Sequence, residues 1–491
     1  ANQAVKFGAL LERGEYRYDA HDHHGPTLYY LTLPAAWLRG QTTLASLDER
    51  TLRAVPAIVG AATILLLPLL TAGIGRTAVV AGAVLMALSP AMVFYSRMYI
   101  QESMFSCFAL AFAIAVGRAM TEPGLRWPVL AGIAAGLAVA TKETSVIVLP
   151  SSLVACAIAW WSLGPDRRRA PVADGRWTSA ALVGLATAAT VAALFYSSLL
   201  ADPSSILGPL RAAGTYVDRG VHPADHAHPW HYYLGLLTWS ASGGLTWTEG
   251  VVLVLAVVGT VTTWKGGFWG RYLTGNAAIA AAIFSAIPYK TPWNLLPFYT
   301  ATIVLAGVGF SALARASGSR AVHAVLAAVL SIAAGHLGWQ AWRAAVTYAS
   351  DPRNPYVYAH TVPDAVRMAT RIRQLAALHP DGERMLVTVI APPHEHWPLP
   401  WYLRTMPHVG YWTEPGEALA LEAPVIVAST DHTDALDSAL GNRYVSEFFG
   451  LRPEVLLALY IEHGLWDRFL ARVAMDDATP ECGGTEPASR H

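Results

Sequence analysis

Ten stretches of almost unbroken apolar residues punctuate the first 345 positions, separated by short polar joints. Their approximate limits are 53–74, 77–95, 102–119, 127–141, 144–163, 177–199, 246–264, 272–289, 294–312 and 321–343. A helix needs about 20 apolar residues to cross the hydrocarbon core of a bilayer, and each stretch is read as one crossing. The fourth is short and rich in Gly and Ala, small residues that let helices approach closely. The run GPTLYYLTLPAAWLRG at 25–40 is apolar for only some 14 residues and is interrupted by Pro34. That length predicts an interfacial helix on the outer membrane surface, not a crossing. Residues 1–13 pattern as an amphipathic helix, with Val5, Ala9 and Leu10 apolar against Glu12 and Arg13.

From position 349 the pattern changes, and no 20-residue apolar run remains. DAVRMATRIRQLAAL at 364–378 repeats apolar residues at helical spacing, while RMLVTVIA at 384–391 and APVIVAS at 423–429 read as buried strands. PEVLLALYIEHGLWDRFL at 453–470 mixes strand and helix signals. The expected fold is a polytopic α-helical membrane domain, 1–348, followed by a soluble α/β domain, 349–491.

Composition agrees with a membrane protein: 54% of residues are hydrophobic and only 14% charged, against about a quarter charged in soluble domains. The formal net charge is zero, so no global basic field points to nucleic acid. Three cysteines are too few for a disulfide framework, and Cys107 and Cys156 fall inside apolar runs. The charge distribution orients the chain. The joint 164–176 carries Arg167, Arg168, Arg169 and Arg176, which places it in the cytoplasm. Alternation puts Arg76, 121–127, 265–271 and 314–320 on that side too. It sends 1–52, 96–103, 141–144, 200–245, 289–294 and the C-terminal domain to the extracytoplasmic face of the cell membrane. Polar chemistry gathers on that outer face.

Its densest knot is DAHDHH, Asp19 to His24, where carboxylate and imidazole together suit Zn or Mn. One or two of His21, Asp22, His23 and His24 are candidates to bind metal or phosphate, with Asp22, His23 and His24 taken as the metal set, and a polar interfacial loop leading into a helix is the alternative. Glu102 opens a span, where a carboxylate also suits the helix dipole. Lys142 and Glu143 sit between two spans, and charges at membrane depth are functional candidates by default. Snorkelling of the lysine to the interface is the competing account. Lys290 lies beside Trp293 in IPYKTPWNLLPFY, placed to grip a lipid phosphate or to anchor an aromatic belt. A second histidine-rich loop, His222, His226, His228 and His231, matches no closed zinc spacing. No P-loop, dinucleotide fingerprint, HExxH or GxSxG is present.

The order of these motifs resembles a family. GEYRYD leads to HDHHGPTLYY, then YSRMYIQE, TKE and YKTPWNLLP follow in turn. The whole resembles the GT-C membrane glycosyltransferases of the protein O-mannosyltransferase and aminoarabinose-transferase type. WPLPWYLR at 397–404 narrows the likeness to the prokaryotic branch of flippase-activity-associated membrane proteins. The resemblance implies a polyprenyl-phosphate-linked sugar as donor and a glycan, lipid or protein as acceptor. It implies transfer on the extracytoplasmic face with inversion at the anomeric carbon. The family's early acidic pair would precede Ala1, with a first span, so an upstream segment is expected. By position, Glu102 matches the second-loop acid, and Asp22 is the other catalytic candidate. Lys142 and Lys290 match basic positions near the donor phosphate, with Arg97, Tyr99, Trp293 and His228 as further donor-binding side chains. His23, His24 and Asp22 occupy the stretch where relatives bind metal or lipid phosphate, which implies a divalent ion such as Mg, Mn or Zn. The alternative is a non-catalytic lipid-linked-sugar binder or flippase-associated protein. A secondary transporter is a third reading, but the inverted repeats it requires are not visible.

Overall fold

The computed structural model describes residues 1–18, 24–163, 177–209, 214, 226–264, 266–316, 319–358 and 360–478. They form two compact units, Lys6–Tyr358 and Ala359–His491, the latter joined by Ala1–Val5.

Helices stand at each of the ten predicted crossings. They are α3 (Glu49–Leu66), which continues through a 3-10 turn into α4 (Thr71–Ile74), then α5 (Arg76–Leu88) with α6 (Pro90–Ser96), and α7 (Glu102–Ala119). Next come α8 (Arg126–Val139), α9 (Ser145–Trp161) and α10 (Trp177–Tyr196). After the short α11 (Tyr232–Thr238) follow α12 (Gly250–Thr263), α13 (Phe268–Ala286), α14 (Leu296–Ala316) and α15 (Arg320–Trp342). Among the described residues, five helices are long and apolar enough to cross a membrane, and the bent α5–α6 pair makes a sixth. α8, α9 and α12 are apolar but shorter.

One predicted span, 77–95, is not straight: α5 and α6 meet at 59°. Pro90 carries no N–H to continue the ladder, and Ser89 Oγ takes the N–H of Met92 as a helix cap. The interfacial run 25–40 is α2 (Thr27–Leu38), twelve residues and so too short to span. The amphipathic N-terminal segment is α1 (Asn2–Arg13), where Glu12 accepts the N–H of Leu44 at 2.7 Å.

α14 is enclosed on most sides because glycines let its neighbours touch its backbone. A Cβ on Gly307 would lie 2.2 Å from Ala78 O in α5, and one on Gly309 would lie 1.9 Å from Leu255 O in α12. The Gly/Ala-rich α8 does the same with α10, at Gly132 and Gly136. In this way small residues bring polar helix ends together at fixed spacing.

The second unit is a five-stranded sheet in the order β4-β3-β5-β7-β6, numbered along the chain. Its strands are β3 (Val387–Ile390), β4 (Val409–Trp412), β5 (Val425–Ser429), β6 (Tyr444–Arg452) and β7 (Val455–Glu462). β1 (Ser240–Ser242) and β2 (Leu245–Trp247) form a separate hairpin in the helical unit. β3 pairs parallel with β4 and β5, and β7 pairs antiparallel with β5 and β6. β3 and β5 are buried along their whole length, as strands covered on both faces should be. One face packs on α16 (Pro363–Ala376) and α18 (His463–Ala478), the other on α17 (Thr433–Leu440). The mixed signal at 453–470 is therefore a strand followed at once by a helix, with the change at Glu462–His463.

Candidate active site

Helix ends far apart in sequence converge on one buried ion pair. α7 starts at Glu102, the turn Ala140–Thr144 joins α8 to α9, and Asn294 lies in the 3-10 turn that leads into α14. Lys142 Nζ donates to Glu102 Oε1 at 2.8 Å and to Asn294 Oδ1 at 2.9 Å. Glu102 and Lys142 are 4% and 3% exposed, so the pair is shielded from water. Glu102 Oε2 is buried with no hydrogen-bond partner among the described residues. A buried carboxylate oxygen without a donor is costly and calls for an explanation.

A strap lies over the turn. Gly25 N–H donates to Thr141 O at 3.1 Å, Thr27 N–H to Ala140 O at 3.3 Å, and the Thr27 and Thr141 hydroxyls meet at 2.7 Å. A Cβ at position 25 would fall 2.0 Å from Ala140 O, so this approach requires glycine. The strap delivers His24, whose Nδ1 lies 3.1 Å from Glu143 Oε2, while Tyr16 OH donates to His24 O at 2.9 Å. Burial works against a charged His24, but Glu143 outweighs it and the imidazole pKa is raised. Burial likewise opposes Glu143 ionisation, yet His24 and Lys142 bring the carboxyl down to about 2. His24 is the described member of the DAHDHH knot; Asp22 and His23 lie outside the described residues.

The remaining predicted residues have partners of their own. Lys290, 1% exposed, turns its ammonium onto the carbonyls of His228, at 3.0 Å, and Ile287. Its N–H reaches His226 O at 3.1 Å, so it clamps the 226–228 segment to the 287–290 turn. Burial lowers its pKa. The His228 ring stacks on Tyr232 at 4.2 Å, and burial, His226 and Lys290 lower its pKa. Trp293 sits edge-on to Tyr358 at 4.9 Å and to Tyr95 at 6.3 Å. Tyr99 OH donates to Thr32 Oγ1 at 3.0 Å and braces α2. Arg97 is half-buried near Arg53 and Glu49; its pKa is lowered by burial and Arg53.

The sequence reading passed over Glu249. It is fully buried, and both oxygens are saturated: Oε2 accepts from Ser89 Oγ (2.6 Å) and Tyr299 OH (2.7 Å), Oε1 from Ala91 N–H (2.9 Å) and Tyr356 OH (2.8 Å). It locks the α5–α6 bend to α14 and to the 354–356 turn. The signal was available, since a carboxylate inside a predicted span, 246–264, is itself unusual.

Residues 8–195 match the family model of the dolichyl-phosphate-mannose-protein mannosyltransferases. No curated protein sequence matches the chain. Among solved structures, apo ArnT from Cupriavidus metallidurans superposes with a TM-score of 0.62 at 14% identity, over 93% of this chain and 92% of ArnT. Undecaprenyl-phosphate-bound ArnT gives 0.60 at 13%, with the same coverage. The chain has the GT-C fold. The archaeal oligosaccharyltransferase AglB from Archaeoglobus fulgidus, in complex with an inhibitory peptide and a dolichol-phosphate, shares it at a TM-score of 0.55 and 14% identity. That alignment covers 97% of this chain and 74% of AglB. The match at 8–195 takes in α7, the strap and the 140–144 turn, so Glu102, Lys142, Glu143 and His24 of this GT-C chain all lie within it.

Among the described residues, no three His, Cys, Asp or Glu side chains gather closely enough to hold an ion. At the candidate site His24 and Glu143 offer one imidazole and one carboxylate.

Proposed function

We propose that this protein transfers a sugar from a polyprenyl-phosphate carrier to an acceptor on the extracytoplasmic side of the cell membrane, with inversion. The GT-C fold supports the reading, as do the lipid-phosphate ligands of ArnT and AglB. The observation that carries it is the buried Glu102–Lys142–Asn294 cluster with its open carboxylate oxygen. In such a reaction the acceptor oxygen attacks the anomeric carbon. The bond from that carbon to the phosphate oxygen breaks, and the acceptor proton passes to a base. Glu102 Oε2 is available to accept that proton or to orient the acceptor. Lys142, held between Glu102 and Asn294, supplies positive charge where the departing phosphate gains negative charge. Arg97 and the aromatic ring of Trp293 complete the donor-binding group. A divalent cation belongs to the proposal through His24 and Glu143, with Asp22 and His23 beside them in sequence; it would add positive charge next to the carrier phosphate.

The test uses the full chain in proteoliposomes with radiolabelled undecaprenyl-phosphate mannose, reading release of the polyprenyl phosphate. Glu102→Gln is expected to lower turnover about 100-fold or more while leaving donor binding within about threefold. Turnover at the wild-type level overturns the catalytic assignment. Donor binding by wild type without turnover across a panel of sugars favours the non-catalytic binder.

A further inference from the structure

α7 and α14 both begin at the Glu102 cluster, and their far ends meet around a separate cavity. It measures 570 Å³ and is lined by Arg118 and Glu122, by Arg315, and by the start of α13 at Gly267–Gly270. Sixteen residues of α7 separate Glu102 from Arg118, about 24 Å along the helix, so this cavity is distinct from the candidate active site. One wall is built by Trp269. A Cβ on Gly73 or Gly117 would fall 2.3 or 2.4 Å from its ring, so two glycines let the indole lie flat between α4 and α7.

The electrostatics of this cavity are one-sided. Arg118 gives one guanidinium nitrogen to Glu122, but its Nε is buried with no partner among the described residues. Both Glu122 oxygens are occupied, one by Arg118 and the other by Trp127 Nε1. Arg315 leans over Gly75, 3.9 Å from where a Cβ there would lie, at the N-terminus of α5. The N-termini of α5 and α13 both border the cavity, and neither has a side-chain cap. Each start leaves backbone N–H groups without intrahelical partners and carries partial positive charge. The last-turn positions of Arg118 and Arg315 suit their own helix dipoles. The positive-inside bias accounts for arginines at this end of the helices; the cavity adds two uncapped helix starts to them and holds a single, already paired carboxylate.

We propose that this cavity is a second ligand site that binds a phosphate-bearing anion, with Arg315 and the helix starts as donors and Arg118 adding positive charge to the wall. Phe268, Trp269 and Val308 supply apolar wall for the rest of the ligand. A phospholipid head group and a free phosphate share the chemistry; they differ in whether an acyl portion is needed.

The experiment is native mass spectrometry of the full chain, released from micelles doped with phosphatidylglycerol, with phosphatidylcholine, or with inorganic phosphate alone. Arg315→Glu, at an exposed position, is compared with wild type and Arg315→Lys, and the melting temperature of each checks folding. The expected result is a threefold or greater loss of bound phosphatidylglycerol in Arg315→Glu, partial recovery in Arg315→Lys, and unchanged phosphatidylcholine. Loss of bound inorganic phosphate in the same variant supports the site and identifies free phosphate as a ligand. Equal retention of both anions by wild type and by the Arg315→Glu, Arg118→Gln double variant overturns the proposal.

Discussion

Glu249 and Glu102 are both buried carboxylates of the helical unit, yet their surroundings differ in kind. Glu249 receives four hydrogen bonds, three from hydroxyls and one from a backbone N–H, which fills both oxygens. Among the described residues, Glu102 receives one donor on Oε1 and none on Oε2. A saturated carboxylate has nothing left to offer a substrate and holds structure together. An unsaturated one in a shielded pocket bears the cost of an unmade hydrogen bond, which a bound group would relieve. The comparison separates two roles that the sequence alone shows only as Glu next to apolar residues. Glu249 fixes the frame, tying the α5–α6 bend to α14. Glu102 stands at the start of α7, joined through Lys142 to Asn294 in the turn that α14 extends.

The largest expected effect breaks the comparison from the structural side. Glu249→Ala leaves Ser89, Tyr299, Tyr356 and the Ala91 N–H without their acceptor. Each buried donor left unsatisfied costs about 1–3 kcal/mol. A large fall in melting temperature in detergent is expected, with Glu249→Gln intermediate because one amide oxygen still accepts. Glu102→Gln removes the counter-charge of the buried Lys142 ammonium but leaves it Asn294 and an amide oxygen, so a smaller fall in melting temperature than for Glu249→Ala is expected, while turnover falls as stated above. If Glu249→Gln folds normally and loses turnover as severely as Glu102→Gln, the division of roles is wrong.

A smaller effect sharpens the reading of the strap. His24 is raised above its ordinary value of 6.5 and Glu143 is lowered from 4.5 to about 2. The raised histidine contributes stability that is full below 6.5 and is lost as pH rises through its folded pKa. The lowered carboxyl contributes stability present above 4.5 and lost as pH falls towards 2. The pair therefore helps most between pH 4.5 and 6.5, and its contribution fades above that window. The melting-temperature difference between wild type and His24→Gln should follow this profile. A difference that is flat from pH 5 to pH 9 would show that the ion pair does not hold the strap.

Much of this was legible in the sequence because apolar runs report burial directly. Each predicted crossing holds a helix, and β3 and β5 were visible as short continuous apolar runs. β4 and β6 were missed: Val409–Trp412 and Tyr444–Arg452 are half-buried edge strands whose pattern carries little signal. The break at Ser89–Pro90 had a local signal in Pro90, which the reading of 77–95 as one span passed over; the partner that anchors Ser89, Glu249, lies 160 residues away and left no local trace. Of the site, Glu102 and Lys142 were found as charges flanking apolar spans, but not that they pair. Pairing depends on how α7 packs beside the α8–α9 turn, which no local pattern encodes. Lys290 and Tyr99 were chosen by type and position, and the fold shows both hydrogen-bonded to protein groups.

Tyr99 provides the finest cut. Its hydroxyl donates to Thr32 Oγ1, and Thr32 in turn donates to Leu28 O at 2.7 Å, so the chain of bonds ends inside α2. The ring meets Phe7 edge-on at 6.4 Å. Both contacts are to protein, which makes Tyr99 a brace that belongs on the Glu249 side of the comparison. Tyr99→Phe keeps the ring and removes one hydrogen bond, worth about 0.5–1.5 kcal/mol. The expected outcome is a slightly lower melting temperature and turnover within about threefold of wild type, a factor that about 0.65 kcal/mol at the transition state would produce. A tenfold loss of turnover at unchanged melting temperature would mean that the hydroxyl leaves Thr32 to meet the donor. Tyr99 would then move to the Glu102 side, among the groups whose resting partners are given up when substrate binds.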